Sequence, residues 1–374
     1  MTEDLYVTRL MRPKLPTRIQ YIIATLDRAG AEGQLTALLT RLDRSRFEPH
    51  LICLTRGGHH EAALKAAQIP YEILGKSGKA DPLAVFRLRK LMKSFKPDIL
   101  HTWMFTSNAY GRVAGILAGV PIRIAAERAV DSWKTWPYKF TDRLLAHWTH
   151  SIVGNCEAIR EFVAKETGAD RNKLSVIPNG VDVSLFEPKD HIEAEEVCFC
   201  TIGRLAPQKR IDLFIKALSS LKKQNKNVSG VIAGDGPLRN ELQELASEEG
   251  IADQVEFIGT TEDVPGLLAQ SDTFILASDW EGMPNVVLEA MASGLPVIGT
   301  AIDGTKEIIK DGETGFLVPT DDADALAAAM SELTDSVELR SRMGKAGRLR
   351  AESEYSMEKM VERYESLYTD LMTG

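Results

Sequence analysis

The chain has 374 residues, long for a single domain and comfortable for two. An apolar share of 44% and a charged share of 26% are those of ordinary soluble globular proteins, and no apolar run approaches the roughly 20 residues a membrane span needs. The net charge of −8 conceals two unlike halves: up to Pro188 there are 27 Lys and Arg against 19 Asp and Glu, and beyond it 18 against 34, so the balances are +8 and −16.

In chain order, residues 1–16 lack the apolar core and small-residue cleavage site of a secretory signal and read as a flexible tail. Short β-branched runs follow at Ile19–Thr25, His50–Leu54, Tyr71–Leu74, Asp98–Thr102, Ile122–Ala126, Ser151–Val153 and Leu174–Ile177. Amphipathic stretches such as Gly33–Leu42 and Pro82–Phe95 lie between them. After the polar segment Glu187–Glu196 the alternation resumes at Val197–Ile202, Val228–Ala233, Val255–Ile258, Thr273–Leu276, Val297–Gly299 and Phe316–Val318. The pattern predicts two doubly wound α/β domains, 17–188 and 189–356, rather than one very large sheet. The last helix, Met357–Met372, is expected to dock back on the first domain. Cys53, Cys156, Cys198 and Cys200 form neither a CxxC pair nor a disulfide framework, which places the chain in the reducing cytoplasm.

Ligands of doubly wound sheets bind at the carboxyl ends of the strands, so the loops there carry the chemistry. Val197–Ile202 runs into Gly203-Arg204-Leu205-Ala206-Pro207-Gln208-Lys209-Arg210 and then a helix from Ile211. Arg204 and Lys209 supply the two cations that a diphosphate leaving group needs as its negative charge grows. Standing alone, such a loop is more often merely solvated. The next strand ends in Gly234-Asp235-Gly236-Pro237, where glycines let the backbone approach an anion at a helix N-terminus. Phe257-Ile258-Gly259 offers main-chain groups to a nucleobase, or is simply a buried strand and a turn. In Ser278–Gly294, a loop Glu281, a glycine turn, Pro284 and a helical Glu289 coincide, with the amides of Asn285, Val286 and Val287 free to face an anion.

Taken together these segments resemble glycosyltransferase family 4, retaining enzymes of GT-B architecture, in which two Rossmann-like domains face each other across a cleft. The similarity spans nearly the whole chain. The family's pattern of two glutamates with seven residues between them is met by Glu281 and Glu289 in EGMPNVVLEAMASGLPVIGT, and its phosphate-binding cations by Arg204 and Lys209 in IGRLAPQKRIDLFIKAL. AGDGPLR and VEFIGTTEDVPGLLAQSD also match in place. The resemblance implies that Arg204 and Lys209 hold the donor diphosphate, with Gly234 beside it. Glu289 would bond the ribose, Glu281 a hydroxyl of the donor sugar, Asn285–Val287 the phosphates or sugar, and Ile258 the base through its backbone. It further implies no cofactor and no bound metal, in keeping with the lack of a DxD triplet.

On the first domain, Asp27-Arg28-Ala29-Gly30-Ala31-Glu32-Gly33 follows the first strand. The family usually shows a glycine pair before Ala-Glu here; this chain has Ala29-Gly30. By resemblance Gly30 would face the leaving phosphate, Ala31 and Glu32 the acceptor, and His101, in DILHTW, the reacting sugar. Retention implies a front-face displacement in which the leaving phosphate takes the acceptor's proton. Pro178-Asn179-Gly180-Val181-Asp182 matches the segment ahead of the family's hinge and reads equally as a plain turn.

The expected partners are a UDP- or GDP-sugar and a glycan or lipid-linked acceptor, with no nucleic acid. An anionic membrane surface is a further expected partner, which would make the chain peripheral on the inner face of the membrane. Two basic, apolar segments carry that expectation: Pro82–Pro97, with Arg87, Arg89, Lys90, Lys93 and Lys96, and Trp133–Phe140, with Lys134 and Lys139 among aromatics. A GT-B epimerase or sugar phosphorylase and a non-catalytic scaffold are the rival readings. A scaffold is expected to have lost one of Arg204, Lys209, Glu281 or Glu289, and all four are present.

Overall fold

The computed structural model describes residues 16–78, 80–129, 135–190 and 195–373. The chain divides into two compact units. The second is Asn179–Lys359; the first precedes it and takes back the chain from Met360. No helix among the described residues is long and apolar enough to cross a membrane.

In the first unit β1 (Thr17–Thr25), β2 (Phe47–Arg56), β3 (Tyr71–Ile73), β4 (Ile99–Trp103), β5 (Ile122–Glu127), β6 (Ser151–Gly154) and β7 (Leu174–Val176) form one sheet. All neighbours pair in parallel, in the order β3-β2-β1-β4-β5-β6-β7. The strands read as continuous β-branched runs because both faces are covered. The helices are α1 (Gly30–Arg41), α2 (Glu61–Ala66), α3 (Pro82–Phe95), α4 (Met104–Ala118), α5 (Trp136–Ala146) and α6 (Glu157–Thr167). The α3 start is fixed by Asp81, whose side chain accepts from the Ala84 amide at 3.2 Å, and by Pro82 in its first turn. α1 begins three residues earlier than the amphipathic pattern from Gly33 implies, because a glycine in the first turn costs little where the backbone is half free. The core on the α3 and α4 side is Ile22, Ile52, Leu54, Leu88, Met92 and Leu100 with their neighbours.

The second unit holds β8 (Val197–Ile202), β9 (Val228–Ala233), β10 (Val255–Gly259), β11 (Thr273–Leu276), β12 (Val297–Thr300) and β13 (Gly315–Val318). Their order is β10-β9-β8-β11-β12-β13, again parallel. Its helices are α7 (Ile211–Lys223), α8 (Arg239–Glu248), α9 (Val264–Gln270), α10 (Asn285–Ala292), α11 (Asp303–Ile308), α12 (Ala323–Asp335) and α13 (Val337–Glu354), and the last helix, α14 (Met357–Thr373), only starts in it. α7 buries Leu213, Phe214, Ala217, Leu218 and Leu221 in a core shared with Met330 and Leu333 of α12. The body of α14 belongs to the first unit, where Tyr364 and Tyr368 are fully buried. Every strand read from the sequence is present, shifted at its ends by at most a few residues. All four cysteines are free thiols, and Cys53, Cys156 and Cys200 are buried.

Candidate active site

In each sheet the winding direction reverses once, between β1 and β4 and between β8 and β11. A crevice opens at the carboxyl ends of strands at such a reversal. In the second unit the two loops flanking it are those after β8 and after β11, which carry Arg204, Lys209 and Glu281.

These loops are joined side chain to side chain. Lys209 Nζ donates to Glu281 Oε1 at 2.6 Å, and the buried Ser278 hydroxyl donates to the same oxygen at 2.9 Å. Gln208 donates to the Trp280 carbonyl at 2.6 Å, while the Asp279 amide donates to the Gln208 carbonyl at 2.9 Å. Arg210 stands in the left-handed region at φ 46 and bonds Asp212, Asp279 and Asp321. The Arg204 guanidinium is exposed and has no hydrogen-bonding or ionic partner among the described residues. The site thus presents one free cation beside one already spoken for.

The neighbouring turns are packed so closely that only glycine fits. A Cβ on Gly234, at φ +137, would lie 1.9 Å from the Gly203 carbonyl oxygen, and one on Gly236 would lie 2.3 Å from that of Leu205. Backbone bonds complete the cradle: the Gly203 amide to Ala233, Leu205 to Asp235, and Gly234 to Gly259. The β9–β10 register skips from Phe257 to Gly259, so Ile258 is the bulged residue, 37% exposed, with its main chain left out of that ladder.

α10 starts at Asn285 after Pro284. The Asn285 and Val286 amides have no partner among the described residues, but the Val287 amide donates to the Pro284 carbonyl at 3.1 Å. The expectation of three free amides is corrected to two: the first turn tightens and satisfies the third. Glu289 stands in the second turn of α10, and burial without a partner pushes its carboxyl up to about 7. The buried Asn179 fastens the start of α10, its amide donating to the Met283 carbonyl at 3.1 Å and to Asn285 Oδ1 at 2.7 Å.

In the first unit Gly30 is exposed at the α1 start, with Ala31 and Glu32 half-buried behind it. Thr25 donates to the Glu32 carboxylate at 3.2 Å, and burial raises that carboxyl above its usual range. The ring of His101, the residue expected beside the reacting sugar, is fully buried among Tyr21, Trp103, Tyr364 and Tyr368. Nδ1 meets the Tyr368 hydroxyl at 2.8 Å and Nε2 has no partner. Burial first, and the Arg128 charge second, hold its pKa well below the ordinary value, so the ring is neutral. The two tyrosines that cover it come from α14, 267 residues away in sequence for the bonded pair. Trp133 and Lys134 of the expected membrane segment lie outside the described residues.

Sequence reasoning missed Ser278, Gln208, Arg210 and Asn179 as members of this site. Only Asn179 carried a signal, its place in the Pro178–Asp182 turn. No cluster of His, Cys, Asp or Glu fit to hold a metal ion occurs among the described residues.

The sequence model for glycosyl transferases group 1 matches residues 184–350, and that for glycosyltransferase family 4 matches residues 28–185. The chain is 31% identical over 355 residues to the UDP-Gal:alpha-D-GlcNAc-diphosphoundecaprenol alpha-1,3-galactosyltransferase of Escherichia coli, covering 89% of this chain and 92% of that protein. It is 29% identical to an alpha-1,4-N-acetyl-D-galactosaminyltransferase of Campylobacter jejuni acting on a diNAcBac-PP-undecaprenol glycan, covering 87% and 91%. The fold is that of Anabaena HepE, solved in complex with UDP, with a TM-score of 0.83 at 19% identity over 95% of this chain and 100% of that one.

Proposed function

Since the chain belongs to the group 1, family 4 glycosyltransferases, we propose that it moves a sugar, with retention, from a UDP-sugar to a lipid-linked glycan acceptor, without a bound metal. The observation that carries this reading is the joining of the two loops at the β8/β11 reversal. There an unpaired Arg204 and a Lys209 held by Glu281 stand beside free helix-start amides. The E. coli relative takes galactose from UDP and places it on a diphosphoundecaprenol-linked sugar, which favours that donor and acceptor class for this chain too.

In this proposal the donor diphosphate lies over Arg204, Lys209 and the Asn285 and Val286 amides. As the bond from the anomeric carbon to the phosphate oxygen breaks, negative charge collects on the diphosphate and these groups stabilise it. The acceptor hydroxyl attacks on the same face, and its proton passes to the departing phosphate oxygen. The two cations supply the charge that a divalent ion supplies in metal-dependent transferases. Glu281, released from Lys209 when the diphosphate takes that cation, bonds a hydroxyl of the sugar. Glu289 accepts from the ribose, and the main chain of Ile258 meets the base.

The stereochemistry tests this directly. From an anomerically pure α-linked UDP-sugar, the proton coupling at the new anomeric centre should report an α linkage, and turnover should be indifferent to EDTA. A β-linked product would overturn the front-face reading, and loss of turnover to EDTA the metal-free one.

A further inference from the structure

The helical layer on one face of the first unit turns apolar side chains outward. The crossovers β3 to β4, β4 to β5 and β5 to β6 all step in one direction, so α3, α4 and α5 share that face, and they pack in that order. In α5 the buried positions are Asp142, Leu145 and Ala146. The opposite side, at a spacing of four, holds Trp136, Phe140 and Leu144, exposed by 74%, 52% and 47%. The first two rings stack with centroids 5.4 Å apart, and Trp148, just past the helix, is 47% exposed. The polar group points in: Asp142 pairs with the buried Arg112 at 2.5 Å. This inverts the usual surface helix, whose apolar stripe faces the core.

α3 adds to the same surface. It buries Ala84, Leu88 and Met92, while Leu83 and Phe86 are exposed by 68% and 61%. Lys90 and Lys93 are exposed on that outward side, Arg87 is paired with Asp81 at the helix start, and α3 itself holds no acidic residue. An apolar face of this size calls for a covering partner. Its charge selects which: the buried part of a protein interface is depleted of Lys, whereas aromatic rings bordered by Lys and Arg suit the headgroup layer of an anionic bilayer.

We propose that the outward face of α3 and α5 docks on an anionic phospholipid surface. Trp136, Phe140, Leu144 and Trp148 sit at headgroup depth, with Lys90 and Lys93 against lipid phosphates. This deepens the lipid-linked reading above and rests on it for its purpose, since a lipid-borne acceptor is met at such a surface.

The full chain is sedimented with vesicles of phosphatidylcholine alone and with phosphatidylglycerol added, at low and high salt. Binding should need phosphatidylglycerol and weaken with salt. It should fall about tenfold or more in W136S/F140S/L144S and again in K90E/K93E. Both variants should keep the wild-type melting temperature and the stabilisation given by UDP, because the altered side chains are exposed and lie in the other unit. Binding indifferent to lipid charge, or unchanged in both variants, would overturn the proposal. So would a wild-type dimer that becomes monomeric in the triple variant, which would make the face a protein interface. If vesicle binding behaves as expected but UDP gives no stabilisation, the donor reading fails and the membrane inference stands.

Discussion

Glu289 shows how one side chain ties the donor to pH. Its carboxyl moves from an ordinary 4.5 to about 7, through burial without a partner. The folded protein therefore holds a proton that the unfolded chain gives up, and stability is lost as pH rises between those two values. The loss is on the order of 3 kcal/mol. Glu289→Gln removes it, so the variant should melt above wild type near pH 8 and level with it near pH 4, as read by thermal unfolding without ligand. Ribose hydroxyls donate to a carboxylate, so donor binding favours the ionised form. Affinity for a UDP-sugar, measured by calorimetry, should rise as pH passes through about 7 in wild type and stay flat and weaker in the variant. A wild-type affinity flat across that range would remove Glu289 from the donor site. The sequence made Glu281 and Glu289 legible because their spacing is local. It could not show that Glu281 shares one oxygen with Lys209 and Ser278, since the 72-residue separation of the ion pair is bridged only by the fold.

At the scale of elements, buried parallel strands were the easiest to read, because covering both faces leaves a run of β-branched residues with no polar alternation. What eluded the sequence were elements fixed by distant partners. The Tyr368 hydroxyl meets His101 and Tyr21 across 267 and 347 residues, and it turns a histidine expected at the substrate into part of a buried aromatic box. The bulge that frees Ile258 is likewise set by the β9 register and not by its own residues. The start of α10 is held by Asn179, 104 residues upstream of Met283. Asn179→Ala deletes both bonds to that turn and leaves the Asn285 side chain unpaired at the helix start. UDP-sugar affinity should fall by about tenfold, the equivalent of ~1.4 kcal/mol, with a melting temperature lowered by no more than a few degrees. Unchanged affinity would mean that the α10 amides do not carry the diphosphate.

Over the whole molecule, the positive balance of the first half and the negative balance of the second follow the division of labour proposed here. The unit with the exposed aromatic face is the basic one, and the unit with the donor loops is acidic outside its few converging cations. Arg204 and Lys209 are the point at which the two levels meet, because they are what an otherwise acidic unit offers to a diphosphate. The most direct measurement is release of UDP from a UDP-sugar with and without acceptor, in wild type, Arg204→Ala and Lys209→Ala. Wild type should release UDP only when acceptor is present, and each variant should do so on the order of a hundredfold more slowly while remaining folded. Wild-type turnover in both folded variants, or release that ignores the acceptor, would contradict the assignment of these two cations to the transfer step.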